Sequence, residues 1–537
     1  MIRSKKKWAL FLAFILLACA FLPGYTRTNG IGNVYYSSHL QIFEGVDFSE
    51  IHAGNDANGV ERAYVVTADL ARSGLQPVVF SGDIGARYVL DTMANTLEAQ
   101  GFRVVAGVNG DVFDTDTGCP RGLTIHDGEI LSSGYDPKFV ISFDETGKAD
   151  FVWPNVSYAL RTEIFVPQAG GSYAQTPYSA GIGYVNVPHG GSKSLHLYTK
   201  AYGPSTGTKG ENVEVILNAD SSEAARLRFG QPLVATVSAI RYAGGDAPIG
   251  DGQLVLSTKA DSATAEALKQ MAAGMRVEIE ATDIDKGALS RSRECLGMYY
   301  LLYDHGKWVS EGTNPHPRTL LGLKNDGSVM LYVLDGRQPG ISGGLGLTDA
   351  AKHMVELGCV AVANLDGGGS SAMLVREPGV DAKAVLKNSP SGGTQRAVTN
   401  GLFFVYKGLS AGAGAVLSTY QDHYLALPGA EVKLTTYRSN SLYEKTGGTV
   451  GSLRYEVAEG GGAVGANGVY TAGDAPGKVL IKIQGDGAET TASLEVVTQD
   501  LSLTPSMDAV FADPRQSFDL NVTARHGYAP VAQRDNL

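Results

Sequence analysis

The stretch Asn364-Leu365-Asp366-Gly367-Gly368-Gly369-Ser370-Ser371 ends an apolar run with a carboxylate, three glycines and two hydroxyls. Consecutive glycines open backbone conformations closed to other residues and let a ligand touch the main chain. The N–H groups of such a turn can converge on an anion, with Ser370 and Ser371 adding donors. Upstream, Val333-Leu334-Asp335-Gly336-Arg337 follows the same plan of strand and polar turn. An extended backbone there would set Asp335 and Arg337 on one side. Arg318 follows Pro317, and its planar fork matches a phosphate. Asn388 and Arg396 lie downstream, and Asn109-Gly110-Asp111 stands far upstream. Each piece alone also has a bland reading, as a glycine hairpin or a solvated turn with a weak surface ion pair. Together they pool three carboxylates (Asp111, Asp335, Asp366), three guanidinium groups (Arg318, Arg337, Arg396) and the amides of Asn109, Asn364 and Asn388. Breaking a bond at the anomeric carbon of a sugar builds positive charge that a carboxylate stabilises or captures. When the leaving group is a phosphate, holding its charge matters more than protonating it, and arginines with backbone N–H groups do that. Asp366 is the first candidate for the anomeric carbon or its water, with Asp335 or Asp111 as partner. Ser370 and Ser371 read as donors, since no histidine base accompanies them in a recognisable motif.

Those groups need elements to hold them. The pattern predicts a helix over 88–99 that stops at Gly101 and another near 263–273. A further helix opens at Thr348 as N-cap, with Asp349 in its first turn, and stops at Gly358. The helices ending at Gly101 and Gly358 share a plan of helix, glycine, apolar strand and polar-Gly step, and Asn109 and Asp366 fall at the same offset. Either a diverged repeat sets two polar turns side by side, or a glycine-rich chain shows a coincidence. Elsewhere short alternating segments, such as 63–67 and 195–199, recur between Gly, Asp and Asn turns, as in β-rich folds. The 68 glycines, far above a usual share of roughly 7%, point the same way.

At 537 residues the chain exceeds what one hydrophobic core serves. Residues 31–407 read as one catalytic-type unit and 408–414 as a Gly/Ala/Ser linker. Residues 415–498 carry short strands at regular spacing, expected to form a β-sandwich that resembles bacterial Ig-like repeats. Residues 499–537 read as the opening of a partial second module or a truncated tail. Within residues 1–30, Arg3, Lys5, Lys6 and Lys7 precede the apolar run Trp8 to Leu22, the pattern of an export signal, cleaved or kept as an anchor. That run is short for a membrane span, which needs about 20 residues. Lipidation at Cys19 is the other mode of attachment. The expected location is extracellular or at the cell surface, with the membrane touched only through this segment. A net charge of −11 without a basic stripe argues against nucleic-acid binding. Neither the four cysteines nor the ten histidines show metal-ligand spacing, so no metal site and no required cofactor are expected. The aspartates leave room for a structural Ca²⁺. Trp153 and Trp308 read as core residues in preference to sugar-stacking platforms.

The segment from Pro317 to Phe404 closely resembles the phosphodiester glycosidase family, which includes N-acetylglucosamine-1-phosphodiester α-N-acetylglucosaminidase. The resemblance is carried by 317–319, Asp335-Gly336-Arg337-Gln338-Pro339-Gly340, the 364–371 stretch, 388–391 and 396–400. Asn109-Gly110-Asp111-Val112-Phe113 and Gly122-Leu123 fit more loosely. It implies an α+β class, with a β-rich, mixed-sheet catalytic domain of few helices ahead of the Ig-like sandwich. It also implies hydrolysis of a sugar-1-phosphodiester, at the anomeric C–O bond on this reading, for which Asp366, Asp335 and Asp111 are the catalytic candidates. The substrate expected is a phosphate-containing glycan of the bacterial cell wall or surface polysaccharide. Two rivals stand beside this reading. One is a phosphodiesterase cleaving P–O. The other, suggested by the Ig-like tail, is a non-catalytic polysaccharide-binding or exopolysaccharide-biosynthesis accessory protein.

Overall fold

The computed structural model describes residues 27–533 except 29, 56–58, 137, 448–449 and 506–520. The expected export segment and Cys19 lie outside the described residues. No described helix is long and apolar enough to cross a membrane. Ten elements position the candidate residues: β1 (Gly59–Ala68), β2 (Gln76–Ser81), α1 (Leu90–Ala99), β3 (Phe102–Asn109), β4 (Arg318–Lys324), β5 (Val329–Leu334), α2 (Leu347–Glu356), β6 (Cys359–Asn364), β7 (Met373–Val375) and β8 (Asn400–Lys407).

A ten-stranded sheet has β1, β5, β4 and β6 as consecutive antiparallel neighbours, and a five-stranded sheet has β7, β3, β8 and β2. Val329, Leu331 and Val333 of β5 enter a core shared by the two sheets, whereas Met330, Tyr332 and Leu334 pack towards α2. Leu402 and Phe404 of β8 join the shared core, and Phe403 and Val405 pack towards α1. This is the period of two expected of strands, and cover on both faces turns them into continuous apolar runs. The layers are therefore α1, five-stranded sheet, ten-stranded sheet and α2. Strand dominates helix, in agreement with the β-rich α+β class expected from the sequence.

The helices differ in detail from the sequence reading. α2 is capped by Gly346, not Thr348, because Leu347 is drawn into the core at the first helical position. Thr348 instead accepts the Gly312 N–H at 3.0 Å. The third helix covers only Ala263–Leu268. It belongs to an eight-stranded sheet, spanning Val156–Pro167 to Arg276–Asp283, that encloses its own core around Leu160, Val215, Leu256 and Ile279. A smaller sheet including Thr124–His126 and Glu294–Gly297 carries the chain out to that unit and back. Trp153 and Trp308 are 52% and 37% exposed. Both lie at sheet edges, against Phe139 and Tyr303 respectively, and neither is a core residue.

Between Ala415 and Val496 two four-stranded sheets face each other around Val432, Leu434, Tyr470, Ile481 and Leu494. The stretch expected to open another module packs here instead, with Ala524, Ala529 and Val531 in the same core.

The two helix–glycine–strand units meet end to end. Asp366 N–H donates to the Gly110 carbonyl at 2.9 Å, and Asn109 Nδ2 donates to the Asp366 carbonyl at 2.7 Å. Asn109 Oδ1 accepts from Thr319 Oγ1 at 2.8 Å and from Ala372 N–H at 3.1 Å. One fully buried amide thus ties β3 to β4 and to the chain on both sides of the glycine loop. Asn109→Ala would leave buried partners on three segments unpaired, each worth roughly 1–3 kcal/mol. A loss of about 3 kcal/mol is expected, read as a lower urea midpoint with an unchanged slope.

Candidate active site

From β3 the chain turns through Gly110 into Asp111. A Cβ on Gly110 would strike the Asn400 side chain, so the turn requires glycine. Asn400 opens β8; its carbonyl accepts the Gly110 N–H at 3.0 Å and its Oδ1 accepts the Asp111 N–H at 2.8 Å. The Asp111 carboxyl is buried. Its Oδ2 accepts the Gly122 N–H at 2.6 Å, and its Oδ1 has no partner. Gly122 and Gly297 wall it in, since a Cβ on Gly297 would collide with the carboxyl group. Burial first, and then the negative charge of Asp366, push its pKa up to about 7 against the opposing pull of the Gly122 N–H. Asp366 is less enclosed. Burial raises its pKa too, while the Ser370 hydroxyl and the Arg396 cation favour its charged form. A buried carboxyl near a second negative charge keeps its proton to higher pH than a lone aspartate, and here that group is Asp111.

The glycine loop after β6 contains Gly368 at φ +64°, a conformation that favours glycine. Gly368 N–H donates to the Pro317 carbonyl at 2.9 Å, Ser370 N–H to Gly367 O at 3.3 Å and Ser371 N–H to Gly368 O at 3.3 Å. These donors are satisfied within the protein, so they do not form the converging anion cup expected from the sequence. Cations lie over the loop instead. A Cβ on Gly368 would lie 3.3 Å from Arg337 Nη1, and one on Gly369 would strike the Arg396 guanidinium, whose Nη1 reaches Ser370 Oγ at 3.5 Å. Arg318 is held by carbonyls, with Nε on Leu345 O at 3.0 Å and Nη2 on Asn314 O at 2.6 Å. Burial, and then Arg337, bring its pKa down to about 10. Arg337 leans on His316 Nδ1 at 3.2–3.3 Å. Among the described residues no carboxylate oxygen lies within 4.0 Å of any of these three guanidinium groups. They form an uncompensated positive cluster beside the carboxyl pair.

Asp335 faces elsewhere. Arg337 adopts φ +60°, so the extended backbone that would place the two on one side is broken at that residue. Asp335 accepts Asn388 Nδ2 at 3.0 Å and Ser389 N–H at 3.0–3.1 Å, with the Tyr64 hydroxyl as a further donor. Burial pushes its pKa up to about 6 despite those donors. Asn388 Nδ2 also donates to Ser371 O at 3.1 Å, and its Oδ1 accepts the Met373 N–H at 2.9 Å. Asp335 and Asn388 therefore brace the far end of the glycine loop.

That loop and its arginines fall in the part of the chain matched by a family model. Residues 231–405 match the phosphodiester glycosidase family. The glycosidase span holds Arg318, Asp335, Arg337, Asp366 and Arg396, whereas Asn109 and Asp111 precede it. In fold the chain is similar to a hypothetical protein from Synechocystis, at 17% identity and a TM-score of 0.52, over 69% of this chain and 64% of that one. The chain thus spans less than two thirds of that relative. It is similar also to a protein from Burkholderia pseudomallei, at 17% identity and a TM-score of 0.51, over 71% of this chain and 99% of that one. A zebrafish N-acetylglucosamine-1-phosphodiester α-N-acetylglucosaminidase catalytic domain aligns at 14% identity with a TM-score of 0.31, over 69% of this chain and 87% of that one. No curated protein matches the chain.

Of the residues singled out in the sequence, Asp111, Asp366, Gly367, Gly368, Gly369, Ser370, Arg318, Arg337 and Arg396 are brought together along the glycine loop. Asn109 and Asn388 are spent on internal ties. Asn364 and Ser371 are buried behind the loop, with Asn364 Oδ1 and Ser371 Oγ unpartnered. Sequence reasoning passed over Asn400 and Gly297 as parts of the Asp111 pocket, because nothing local marks a residue whose role is to abut another far along the chain. Among the described residues no group of three or more Asp, Glu, His or Cys side chains is arranged to hold a metal ion.

Folded Asp111 keeps its proton to about pH 7, whereas an unfolded aspartate releases it near 3.9. Between those values the folded state binds more protons, so this group makes stability fall as pH rises from about 4 to about 7. Asp111→Asn removes that contribution. Across this window the stability of the variant should rise relative to wild type by about 4 kcal/mol, the size of a pKa difference of about three between the folded and unfolded states, read as a widening difference in melting temperature. Parallel pH profiles for the two proteins would show that Asp111 titrates normally.

Proposed function

We propose that the protein hydrolyses a sugar-1-phosphodiester at the anomeric C–O bond, releasing the sugar and a phosphomonoester. The observation that carries this reading is the placement of Asp366 and the buried Asp111 beside Arg318, Arg337 and Arg396, none of which has a carboxylate oxygen within 4.0 Å among the described residues. A phosphodiester supplies both things that this arrangement lacks, a negative charge for the guanidinium groups and an electron-poor carbon for a carboxylate.

Asp366, the less buried of the pair, acts at the anomeric carbon or on the water that attacks it. Arg396 and Arg337 hold the phosphate oxygens, so that charge gathering on the departing phosphomonoester meets fixed positive charge. Arg318 is pinned by main-chain carbonyls and adds to the positive field from behind. Asp111 sits too deep to meet the substrate, and the negative charge of Asp366 favours its protonated form. The substrate class proposed is a phosphate-containing glycan of a bacterial wall or surface polysaccharide, reached outside the membrane by way of the basic–apolar N-terminal segment.

Asp366→Asn should lower kcat on a sugar-1-phosphodiester by about 10³-fold or more while leaving the fold intact by circular dichroism; undiminished turnover would remove Asp366 from the chemistry. Arg396→Ala should weaken inhibition by inorganic phosphate by about tenfold, consistent with roughly 1.5–3 kcal/mol for a charge-assisted contact. Hydrolysis in ¹⁸O-water decides which bond breaks, with label in the sugar for C–O cleavage and label in the phosphate for P–O cleavage.

A further inference from the structure

Beside Asp111, on the side away from the glycine loop, the surface carries an aromatic and cationic group that the reaction described above leaves unused. Tyr299 and Tyr300 lie with ring centroids 4.2 Å apart at 53°, and Tyr300 is 40% exposed. The Arg121 guanidinium sits 5.2 Å from the centre of the Tyr299 ring and 5.7 Å from that of Tyr135, and its Nε donates to the Tyr135 hydroxyl at 2.9 Å. Lys138 approaches the Tyr299 ring at 5.7 Å and is paired with Asp136 at 3.1 Å.

The backbone fixes this group relative to the carboxyl pair. Arg121 immediately precedes Gly122, whose N–H binds Asp111 Oδ2 at 2.6 Å. Tyr299 follows closely on Gly297, which walls the Asp111 carboxyl, and its N–H donates at 2.7 Å to the carbonyl of Asn364, two residues before Asp366. The contacts thus run in a row: aromatic pair and Arg121, Asp111, Asp366, glycine loop, Arg337 and Arg396. The charges follow the same order, with Arg121 acting on Asp111 and Arg396 acting on Asp366.

A substrate laid along this row has only one orientation that satisfies both ends. Phosphate belongs at the unpaired arginines, and the carbon under attack lies at the carboxyl pair. The ring attached to that carbon then extends towards Tyr299 and Tyr300. We infer that Tyr299 and Tyr300, steadied by Arg121, form the subsite for the sugar ring, a pyranose with an apolar C–H face that packs on the exposed tyrosine. Aromatic side chains offer such a face at small entropic cost, and Arg121 supplies N–H donors at its edge for ring hydroxyls. The inference rests on the proposed reaction for its orientation, but sugar binding is measurable without turnover.

The test uses the full chain and the variants Tyr300→Ala and Tyr300→Phe. Saturation-transfer NMR with a mixture of glucose, mannose and N-acetylglucosamine should show a sugar signal for wild type and Tyr300→Phe, reduced at least fivefold in Tyr300→Ala. Inhibition by inorganic phosphate, scored on a sugar-1-phosphodiester, should be the same in all three. With that diester KM should rise about tenfold in Tyr300→Ala, with the effect on KM and not on kcat. A Tyr300→Ala protein that keeps the full sugar signal overturns the subsite, as does one in which sugar and phosphate binding weaken together. If wild type shows the sugar signal, loses it in Tyr300→Ala and yet hydrolyses no diester, the subsite stands and the proposed reaction falls.

Discussion

The whole site hangs on main-chain and amide hydrogen bonds that join the ends of two strands from different sheets. Asp366 N–H on Gly110 O, and Asn109 Nδ2 on Asp366 O, fix the turn after β3 against the turn after β6. Each turn delivers an aspartate, and burial raises the pKa of both. What raises Asp111 is depth, but what couples it to Asp366 is this junction. Asn400 then closes the arrangement from a third strand by binding the Gly110 and Asp111 amides. Backbone closes in on the Asp111 carboxyl at Gly122 and Gly297, where a Cβ would approach it.

Burying a carboxyl without an ion-pair partner is costly, and the Asp111 carboxyl is held by the main-chain N–H of Gly122 and by no arginine within bonding range. The guanidinium groups show the converse imbalance. Arg318 is partly desolvated among carbonyls and another cation, which favours its neutral form more than an exposed arginine would experience. The two sets of groups stand next to each other, and the Arg396 charge partly offsets the burial of Asp366.

How much of this could be read in the sequence depends on whether the cause was local. The glycine loop, the arginines and the strand-then-turn plan are contiguous patterns, and the structure brings most of them to one place. The shared offset of Asn109 and Asp366 behind Gly101 and Gly358 likewise pointed to two turns lying side by side. What stayed hidden depended on partners. Asn109 looked like a ligand group, but its three buried bonds make it a tie. The loop amides looked like an anion cup, but Pro317 O claims that of Gly368, and carbonyls within the loop claim those of Ser370 and Ser371. Asp335 looked like a partner for Arg337 until a single left-handed residue turned the arginine away. Trp153 and Trp308 show the limit of residue type alone, since edge position overrides hydrophobicity.

The hydrogen bond from Asn109 to Asp366 spans 257 positions of chain, and that from Asp111 to Asn400 spans 289. Such closures are entropically demanding, and non-local pairing of this kind slows folding. The eight-stranded sheet lies within the first of these loops and has a core of its own, so it can collapse while the two carboxyl groups are still far apart. The two carboxyl groups thus come together only through closures of this length, and opening either end of the loop parts them.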